Sequence, residues 1–533
     1  MKKAPLRLAL AAIMAGTLAA SEATAKETAP ARGELAVEER SLADLSTALA
    51  TGRTSARALV EAYLARIRAI DDAGPAINSV IAVNPQALAE ADRLDAERRA
   101  GKARGPLHGI PLLIKDNIET ADPMPTTAGS LALKDNLTLR DAPFVARLRA
   151  AGAIILGKTN LSEWANIRAR RSTSGWSAVG GLTRNPYALD RNACGSSSGS
   201  GAAGAASLAA AAIGTETDGS ITCPAAINGL VGLKPTVGLV SRNRIVPISH
   251  SQDTAGPMTR DVRDAALLLT AMAGSDPADP ATAGADAHPT DYAARLSPDA
   301  LKGKRIGVLR FAIGSDPKTA AVFETALADL RGAGATLIDI ADLPGRDKLG
   351  DAETTVLITE LKADLNTYLA TTPPAVRTRT LADVIAFNRA HAAAEMAWFD
   401  QGLFEDAQAT RGLDDPAYRA AREQSRRLAG PEGIDRLLRE NTLDLLVAPT
   451  TGPAWTTDLV NGDHFGDGGA GDLAAVAGYP HLTVPMGLVQ GLPVGLSFIG
   501  PAWSEAELLS AGYAYEQATH RREPPRYRPT ATP

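Results

Sequence analysis

The chain has 533 residues, of which 45% are hydrophobic and 22% are charged, a balance that is ordinary for a globular protein. A formal net charge of −5 argues against a nucleic-acid partner, and an aromatic content of 4% leaves little material for stacking bases. The 7 histidines and 2 cysteines show no H-E-x-x-H or C-x-x-C spacing, so we expect neither a metal site nor a cofactor.

The first 25 residues have the three parts of a secretory signal peptide. A basic start at Lys2–Arg7 precedes an apolar run at Leu8–Ala20 and a small-residue cleavage site at Ala23–Ala25. The apolar run is too short to span a bilayer, and no later stretch is long enough. We therefore expect a periplasmic or secreted protein without membrane contact, a monomer, with a mobile lead-in over residues 26–40 of the mature chain.

The next segment alternates helices with short apolar strands. Ser41 and Ser55 stand before apolar-periodic runs and are expected to cap two helices. Ile77–Val83 predicts a strand, and Pro85–Gly101 predicts a helix with a charged surface. This alternation favours an α/β fold over an all-helical or all-β one.

A lysine follows the apolar run Ile110–Ile114, which predicts a buried strand between turn residues. Burying the ammonium of Lys115 is costly unless it is paired or neutral, whereas a strand-end lysine commonly extends to solvent; the pattern alone leaves both readings open. Ala153–Leu156 predicts a second buried strand. Arg168–Asn185 is a long irregular segment, of the length that is usually functional, and it contains Trp176.

Small residues dominate the region Cys194–Ala225. It begins with a Gly/Ser loop at residues 195–201, continues in an alanine-rich run at Ala202–Ala212 that predicts a helix, and reaches a second hydroxyl-rich turn. Such a helix can bring Ser196 of the first loop to Ser220 of the second. Each serine also lies within three residues of a cysteine, and whether the two cysteines pair depends on geometry.

The remainder continues the alternation. Residues 352–440 are mainly helical, and the other predicted helices and strands are Asp261–Ala273, Arg305–Leu309, Thr319–Ala333, Ala335–Ile340, Leu443–Val447, Leu482–Val484, Val494–Ile499 and Glu505–Thr519. We therefore predict one large α/β domain over residues 41–527, with a central mixed β-sheet covered by helices on both faces.

The two serine loops resemble the signature of the amidase signature family of serine hydrolases. They read CGSSSGS and GTETDGSIT, with Ser196 and Ser220 24 residues apart (220 − 196). The resemblance covers most of the mature chain through the further motifs Gly109–Ile118, Leu156–Asn166, Ile221–Arg242, Ser251–Met258, Leu446–Trp455 and Ala475–Gly487. It implies the amidase-signature fold, with a signature core over about residues 105–260 and a helical, cleft-covering insertion over about 352–440.

Three positions depart from the general pattern. Glu216 replaces the usual Asp, Asp218 replaces a Gly and Thr222 replaces the usual Arg, and all three are similar to the bacterial peptide amidase branch. A carboxylate at Asp218 would repel a developing oxyanion, so its side chain is expected to point away or to bind a partner.

The resemblance implies a Ser-Ser-Lys triad. Ser220 is the expected nucleophile, Ser196 the bridging serine, whose preceding peptide bond is cis in the family, and Lys115 the base. A model lysine has a pKa of ~10.4, so a base near neutral pH needs a downward shift of roughly three units. Desolvation at the end of a buried strand can supply such a shift.

The family also implies the groups that surround the reacting carbonyl. The oxyanion hole is expected from backbone N–H groups of Thr217, Asp218, Gly219 and Ser220. Trp176, Ser172 and Asp218 are the predicted substrate contacts. The Arg168–Asn185 loop is expected to close the leaving-group side.

The predicted function is a secreted serine amidase that converts the C-terminal amide of a small peptide into a carboxylate and ammonia. The part of the site that holds the peptide on the carbonyl side of the amide, the acyl side, is expected to be an open groove, because no fixed charge cluster is visible in the sequence. One alternative is a broader amidase or esterase of aryl or fatty amides. A second, from another class, is a catalytically silent extracytoplasmic binding protein, and a tRNA-dependent amidotransferase component is disfavoured by the signal peptide.

Overall fold

The computed structural model describes residues 35–288 and 291–532, so the signal peptide expected at residues 1–25 lies outside the described residues, as does most of the lead-in. Within these ranges the α-helices are α1 Leu42–Ala50, α2 Ala56–Arg66, α3 Ala87–Arg99, α4 Pro143–Ala150, α5 Ser198–Ala205, α6 Thr222–Ile227, α7 Val262–Met272, α8 Pro317–Gly332, α9 Leu349–Ala370, α10 Leu381–Ala390, α11 Ala392–Glu395, α12 Gly402–Ala409, α13 Pro416–Ala429, α14 Asp435–Glu440, α15 Gly471–Ala477 and α16 Glu505–Thr519.

The strands of the described chain are β1 Val80–Val83, β2 Pro111–Lys115, β3 Ile154–Thr159, β4 Trp176–Ser177, β5 Gly181–Leu182, β6 Ala211–Glu216, β7 Val231–Lys234, β8 Thr254–Thr259, β9 Arg305–Leu309, β10 Thr336–Ile340, β11 Leu445–Pro449, β12 His481–Val489 and β13 Leu492–Ile499. Eleven of them form one mixed sheet in the order β1-β3-β2-β6-β8-β7-β12-β13-β11-β9-β10. The expected α/β fold with a central mixed sheet flanked by helices is confirmed.

The first two helices begin where the sequence places their caps. The Ser41 hydroxyl accepts a hydrogen bond from the backbone N–H of Asp44 at 3.0 Å, and the Ser55 hydroxyl accepts one from that of Ala58 at 3.1 Å. Each cap satisfies one of the N–H groups that the first helical turn leaves without a partner. Helix α1 buries all three of its leucines, and α2 buries Leu59, Val60 and Tyr63, so cap and apolar periodicity agree.

The small-residue region folds differently from its local propensity. The helix predicted over Ala202–Ala212 is confirmed only for Ala202–Ala205 and is wrong beyond it: α5 covers Ser198–Ala205, and Ala211 already begins β6. This strand pairs in parallel with β2 and antiparallel with β8, and all six of its residues are buried. Pairing in the middle of a sheet therefore overrides the helical preference of alanine, and the small side chains allow close packing on both faces.

The strand order places the chemically interesting residues side by side. Strand β2 lies between β3 and β6 and is parallel to both, and all three strands are buried at every position. Their carboxyl ends therefore meet at one edge of the sheet. Lys115 ends β2, and Thr215 and Glu216 end β6, so the lysine emerges beside the turn that carries Ser220.

The expected irregular segment Arg168–Asn185 contains a two-stranded ribbon, in which Trp176 pairs with Leu182. The expected helical segment lies between β10 and β11 as α9–α14. Its first helix, α9, reaches the carboxyl edge of the sheet with Leu357. Among residues 35–288 and 291–532, none of the helices combines the length and apolar character needed to cross a bilayer.

Candidate active site

A buried lysine occupies the centre of the site. Lys115 has no exposed surface, and its Nζ lies 2.8 Å from the Ser196 hydroxyl, 2.8 Å from the Thr215 hydroxyl and 3.3 Å from the Thr215 carbonyl oxygen. The Thr215 hydroxyl also accepts a hydrogen bond from the Asn117 side chain at 3.0 Å. No carboxylate is in contact with this amine within the described part of the chain, so only neutral oxygens surround it.

Burial lowers the pKa of Lys115 to about 7, against the opposing effect of the Asp253 and Glu216 carboxylates. Removal of the ammonium from water is therefore the larger influence, as expected for a buried lysine. Near neutral pH a large fraction of the amine is unprotonated and carries a free lone pair. The side chain can then accept a proton from the Ser196 hydroxyl, which lies within hydrogen-bond distance.

Ser196 is held at the start of the loop that leads into α5. The Gly195–Ser196 peptide bond is cis, and the Ser196 carbonyl accepts a hydrogen bond from the Ser162 backbone N–H at 3.0 Å. A Cβ on Gly195 would lie 2.1 Å from the Ser162 hydroxyl oxygen. Glycine is therefore required before Ser196 because the neighbouring segment leaves no room for a side chain.

A carboxylate braces the turn that bears Ser220. Glu216 Oε2 accepts hydrogen bonds from the backbone N–H groups of Ile221 at 2.7 Å and Thr222 at 2.9 Å. The Ser197 N–H donates to the Ser220 carbonyl at 3.2 Å and ties the two serine loops together. Ser220 is only 8% exposed but lines the cleft, so its hydroxyl is presented in a fixed backbone frame.

Backbone donors converge where the chain turns before Ser220. In the described part of the structure the N–H groups of Asp218, Gly219 and Ser220 have no hydrogen-bond acceptor, and all three residues line the cleft. Gly219 has a φ of 73°, a left-handed backbone conformation that glycine adopts without steric strain. Unpaired, preorganised N–H groups of this kind can stabilise an oxyanion.

The turn is supported from behind by two side chains of the loop before β8. The Thr217 hydroxyl donates to Asp253 at 2.6 Å, and the Gln252 side chain donates to the Thr217 carbonyl at 3.3 Å. Gln252 also donates to Glu353 of α9 at 2.8 Å. Burial raises the pKa of Asp253 to about 6 and that of Glu353 to about 7.

The cleft above these residues has a volume of about 420 Å³. Besides the serine loops, its lining comprises Ala165–Ile167, Ile248, Arg346, Leu357, Thr450, Thr451, Phe465, Gly466, Gly468, Gly469, Gly471, Asp472 and His481. Most of these residues come from the second half of the chain, far from the serine loops in sequence. The space is large enough for a short peptide and is open on one side.

Comparison with known proteins identifies the architecture. A family model described as Amidase matches residues 58–509. The chain belongs to the amidase signature family. It is a hydrolase of carbon–nitrogen bonds in linear amides.

Three relatives show the breadth of this amidase's similarity. The native peptide amidase of Stenotrophomonas maltophilia is 55% identical, covers 92% of this chain and 99% of its own, and superposes with a TM-score of 0.87. A probable amidase of Arabidopsis thaliana is 40% identical over 504 residues, 92% of each chain. A glutamyl-tRNA(Gln) amidotransferase component of Halorhodospira halophila is 37% identical over 511 residues, 92% of this chain and 99% of that protein.

The predicted substrate contacts of the amidase fall in different places. Asp218 is exposed within the cleft. Ser172 lies one layer behind it, donating a hydrogen bond to the Asn166 side chain at 2.9 Å. Trp176 does not line this cleft: its ring packs edge-on against Phe399 at 5.1 Å and under the Arg168 guanidinium at 5.7 Å. The pairing of β4 with β5 turns the tryptophan toward the helical segment.

The structure pairs Cys194 with Cys223 in a disulfide, with a Cα–Cα distance of 6.1 Å. Both cysteines line the cleft, two residues before Ser196 and three after Ser220. The covalent link therefore joins the two serine loops of the amidase. The sequence leaves open whether the two cysteines pair, and the approach of the two serine loops in the structure decides that they do.

One group of side chains in the described residues has the composition of a metal site. His250, Glu360 and Asp364 bring a ring nitrogen and two carboxylates together. These atoms already bond to protein groups: His250 Nδ1 lies 2.9 Å from Asp364, and Glu360 accepts from Tyr418 at 2.7 Å. None of the three lines the catalytic cleft of the amidase.

Sequence analysis missed Gln252, Asp253 and Glu353 as supports of the catalytic turn. The first two lie inside the family motif SQDTAGPM, so the motif was a signal, although nothing in it indicates the Thr217 contacts. Nothing in the sequence indicates that Glu353 supports the catalytic turn, because its position in the amidase depends on how α9 packs.

Proposed function

We propose that this amidase hydrolyses the C-terminal amide of small peptides to the free carboxylate and ammonia, through a Ser-Ser-Lys triad and an acyl-enzyme. The observation that carries the proposal is the buried Lys115 amine, 2.8 Å from Ser196, beside a braced turn that presents Ser220 and unpaired N–H groups. The similarity to a peptide amidase over 92% of the chain supports the choice of substrate.

In the first half-reaction, Ser220 Oγ attacks the amide carbonyl carbon. Its proton passes to the Ser196 oxygen while the Ser196 proton passes to the neutral Lys115 amine. The carbonyl oxygen becomes an oxyanion that accepts hydrogen bonds from the N–H groups of Gly219 and Ser220. Collapse of this intermediate breaks the C–N bond, and the proton returns from Lys115 through Ser196 to the departing nitrogen, which leaves as ammonia.

In the second half-reaction, water attacks the ester carbonyl of the acyl-enzyme. The same relay removes a proton from the water and delivers it to Ser220 Oγ as the ester bond breaks. The peptide leaves with a free carboxylate, and the three side chains return to their starting protonation states. The Lys115 amine, which lies 2.8 Å from the Ser196 hydroxyl, is the base of this relay, and Ser196 is proposed to pass the protons between Lys115 and Ser220.

The selectivity for a terminal amide requires a leaving-group side that admits ammonia but not another residue. The Arg168–Asn185 segment, which is expected from the sequence to form that wall, contributes no residue to the described cleft lining. The wall is therefore proposed to be the Glu216–Gly219 turn, which lines the cleft through Thr217, Asp218 and Gly219, together with Ala165–Ile167. Export by the basic and apolar segment at residues 1–25 and a monomeric mature protein are part of the same proposal. N-terminal sequencing of protein from the periplasmic and extracellular fractions tests cleavage after Ala25.

A substrate panel tests the proposed reaction. The mature protein is incubated with amidated dipeptides, the matching free-acid peptides, an aryl amide and a fatty amide, and products are read by mass spectrometry and ammonia assay. We expect ammonia from the amidated peptides and no fragments from the free acids. Internal cleavage of the free acids, or turnover of the aryl or fatty amides alone, contradicts the proposal, and Ser220→Ala is the inactive control.

A further inference from the structure

One end of the cleft is rich in carboxylates. Asp218 and Asp472 line it, and Glu353 lies close enough for its charge to raise the pKa of Asp218. Among the described lining residues, Arg346 is the one lysine or arginine. Its guanidinium is engaged by the Asp472 carboxylate at 3.1 Å and the Gly469 carbonyl at 2.8 Å. Asp218 is left without a cation in contact.

Asp218 has no hydrogen-bond donor from the described residues, although it is exposed within the cleft. Withdrawal from bulk water by the cleft walls raises the pKa of its carboxyl well above the usual range, and Glu353, Asp472 and Glu216 raise it further. A cation bound here would give the Asp218 carboxylate a partner and would reduce its repulsion by the neighbouring carboxylates.

A buried histidine adds an independent, unused acceptor to the same end. His481 is 1% exposed and lines the cleft, and its Nε2 lies 2.6 Å from the Ser497 hydroxyl. That hydroxyl donates its proton to Thr450 at 2.9 Å, so Nε2 carries the ring hydrogen and Nδ1 keeps a lone pair. Burial, and then Lys234, lower the pKa of His481 to about 3, so the ring is neutral.

The free Nδ1 of His481 has no partner among the described residues. It faces Gly471, where a Cβ would lie 3.5 Å from this nitrogen, and Gly471 itself lines the cleft. The neighbouring cation, Lys234, is buried beneath the cleft and donates to the Pro235 carbonyl at 3.1 Å, not to the histidine. His481 and Asp218 both line the same cleft of about 420 Å³.

We propose that this end of the cleft, formed by Asp218, Asp472 and the Nδ1 edge of His481, binds a primary ammonium group of the substrate. An ammonium offers three N–H donors and no acceptor, which matches an acceptor-rich end that contains an unpaired carboxylate and an unpaired ring nitrogen. The proposal rests on the proposed function and specifies its substrate class: peptide amides with a free α-amino group or a lysine side chain.

Matched substrate pairs test the ammonium site and separate its two sources. The ratio of kcat/KM for Ala-Phe-NH2 to that for acetyl-Ala-Phe-NH2 measures the α-ammonium. The ratio for acetyl-Lys-Phe-NH2 to acetyl-norleucine-Phe-NH2 measures the side-chain ammonium. We expect at least one ratio to be 10 or more in the wild type, and to fall to about 2 in Asp218→Asn. Asp414→Asn, which removes an exposed carboxylate outside the cleft, should leave it unchanged.

Calorimetry on the inactive Ser220→Ala background measures the Kd of each substrate without turnover. The same two substrate ratios are then obtained from binding alone. This arm still reports if no ammonia is released, so failure of the proposed function is distinguishable from failure of the ammonium site. His481→Phe on that background should weaken binding of the amine-bearing member of the preferred pair and spare its neutral partner. Ratios near 1 for both pairs in the wild type, or ratios unchanged by Asp218→Asn, overturn the proposal.

Discussion

Replacement of Lys115 by methionine should abolish activity and stabilise the folded protein near neutral pH. The lysine is fully buried, and its pKa falls from 10.5 to about 7 on folding. At roughly 1.4 kcal/mol per pKa unit, this shift costs the folded state about 5 kcal/mol at low pH and about 4 kcal/mol at pH 7. Methionine has a similar length and carries no charge.

The loss of two hydrogen bonds in the Lys115→Met variant reduces this gain in stability. The Ser196 and Thr215 hydroxyls each lose a partner at 2.8 Å, and each loss costs about 1 kcal/mol. The Lys115→Met variant should therefore be about 2 kcal/mol more stable than wild type at pH 7. The folded pKa lies below the unfolded one, so between pH 7 and 10.5 the unfolded state binds more protons and the wild type gains stability as pH rises. The two proteins should be equally stable near pH 9.

Urea denaturation of both proteins at several pH values between 6 and 9 measures this difference in the free energy of unfolding. A variant that is less stable than wild type by the same amount at every pH would show that the amine is not held with a lowered pKa. Lys158→Met is the matched control, because this lysine is equally buried but lies 3.8 Å from Asp116. Its removal leaves a buried carboxylate without a cation and should destabilise by about 3 kcal/mol.

Three further changes probe the surroundings of the triad. Glu216→Gln removes a carboxylate that raises the pKa of Lys115, so the acidic limb of kcat/KM should shift to lower pH; a shift to higher pH would contradict this. Reduction of Cys194–Cys223, which closes a loop with a sequence separation of 29, should lower the free energy of unfolding by about 3–4 kcal/mol, measured by denaturation with and without reductant. Trp176→Ala should destabilise by about 3 kcal/mol with KM nearly unchanged; a large rise in KM would return Trp176 to the substrate site.

Much of the site could be predicted from the sequence because its parts are local. The apolar run before Lys115 indicates a buried strand, and a buried lysine must be paired or neutral. The small residues around Ser196 and Ser220 indicate two tight loops, and a Cβ at Gly195 would in fact collide with the neighbouring segment. These features depend on spacing and side-chain size within short stretches, which the sequence displays directly.

Strand β6 could not be predicted in the same way. Its alanines favour a helix in isolation, and only the pairing with β2 and β8 makes them a strand. Trp176 is a similar case, since an aromatic residue in a long loop can face the substrate or the protein. Here the contacts with Phe399 and Arg168 decide that it faces the protein.

By itself, the sequence determined the α/β class, the buried strand that ends at Lys115 and the two serine loops of this amidase, but it left open whether the lysine side chain is buried. Only the tertiary structure brought together Asp218, Glu353 and Asp472, three carboxylates from distant segments, at one end of the cleft. The sequence suggests an acyl side without a charge cluster, because these residues are far apart along the chain. Electrostatic interaction depends on distance in space, and the packing of α9 and of the loop before α15 sets that distance.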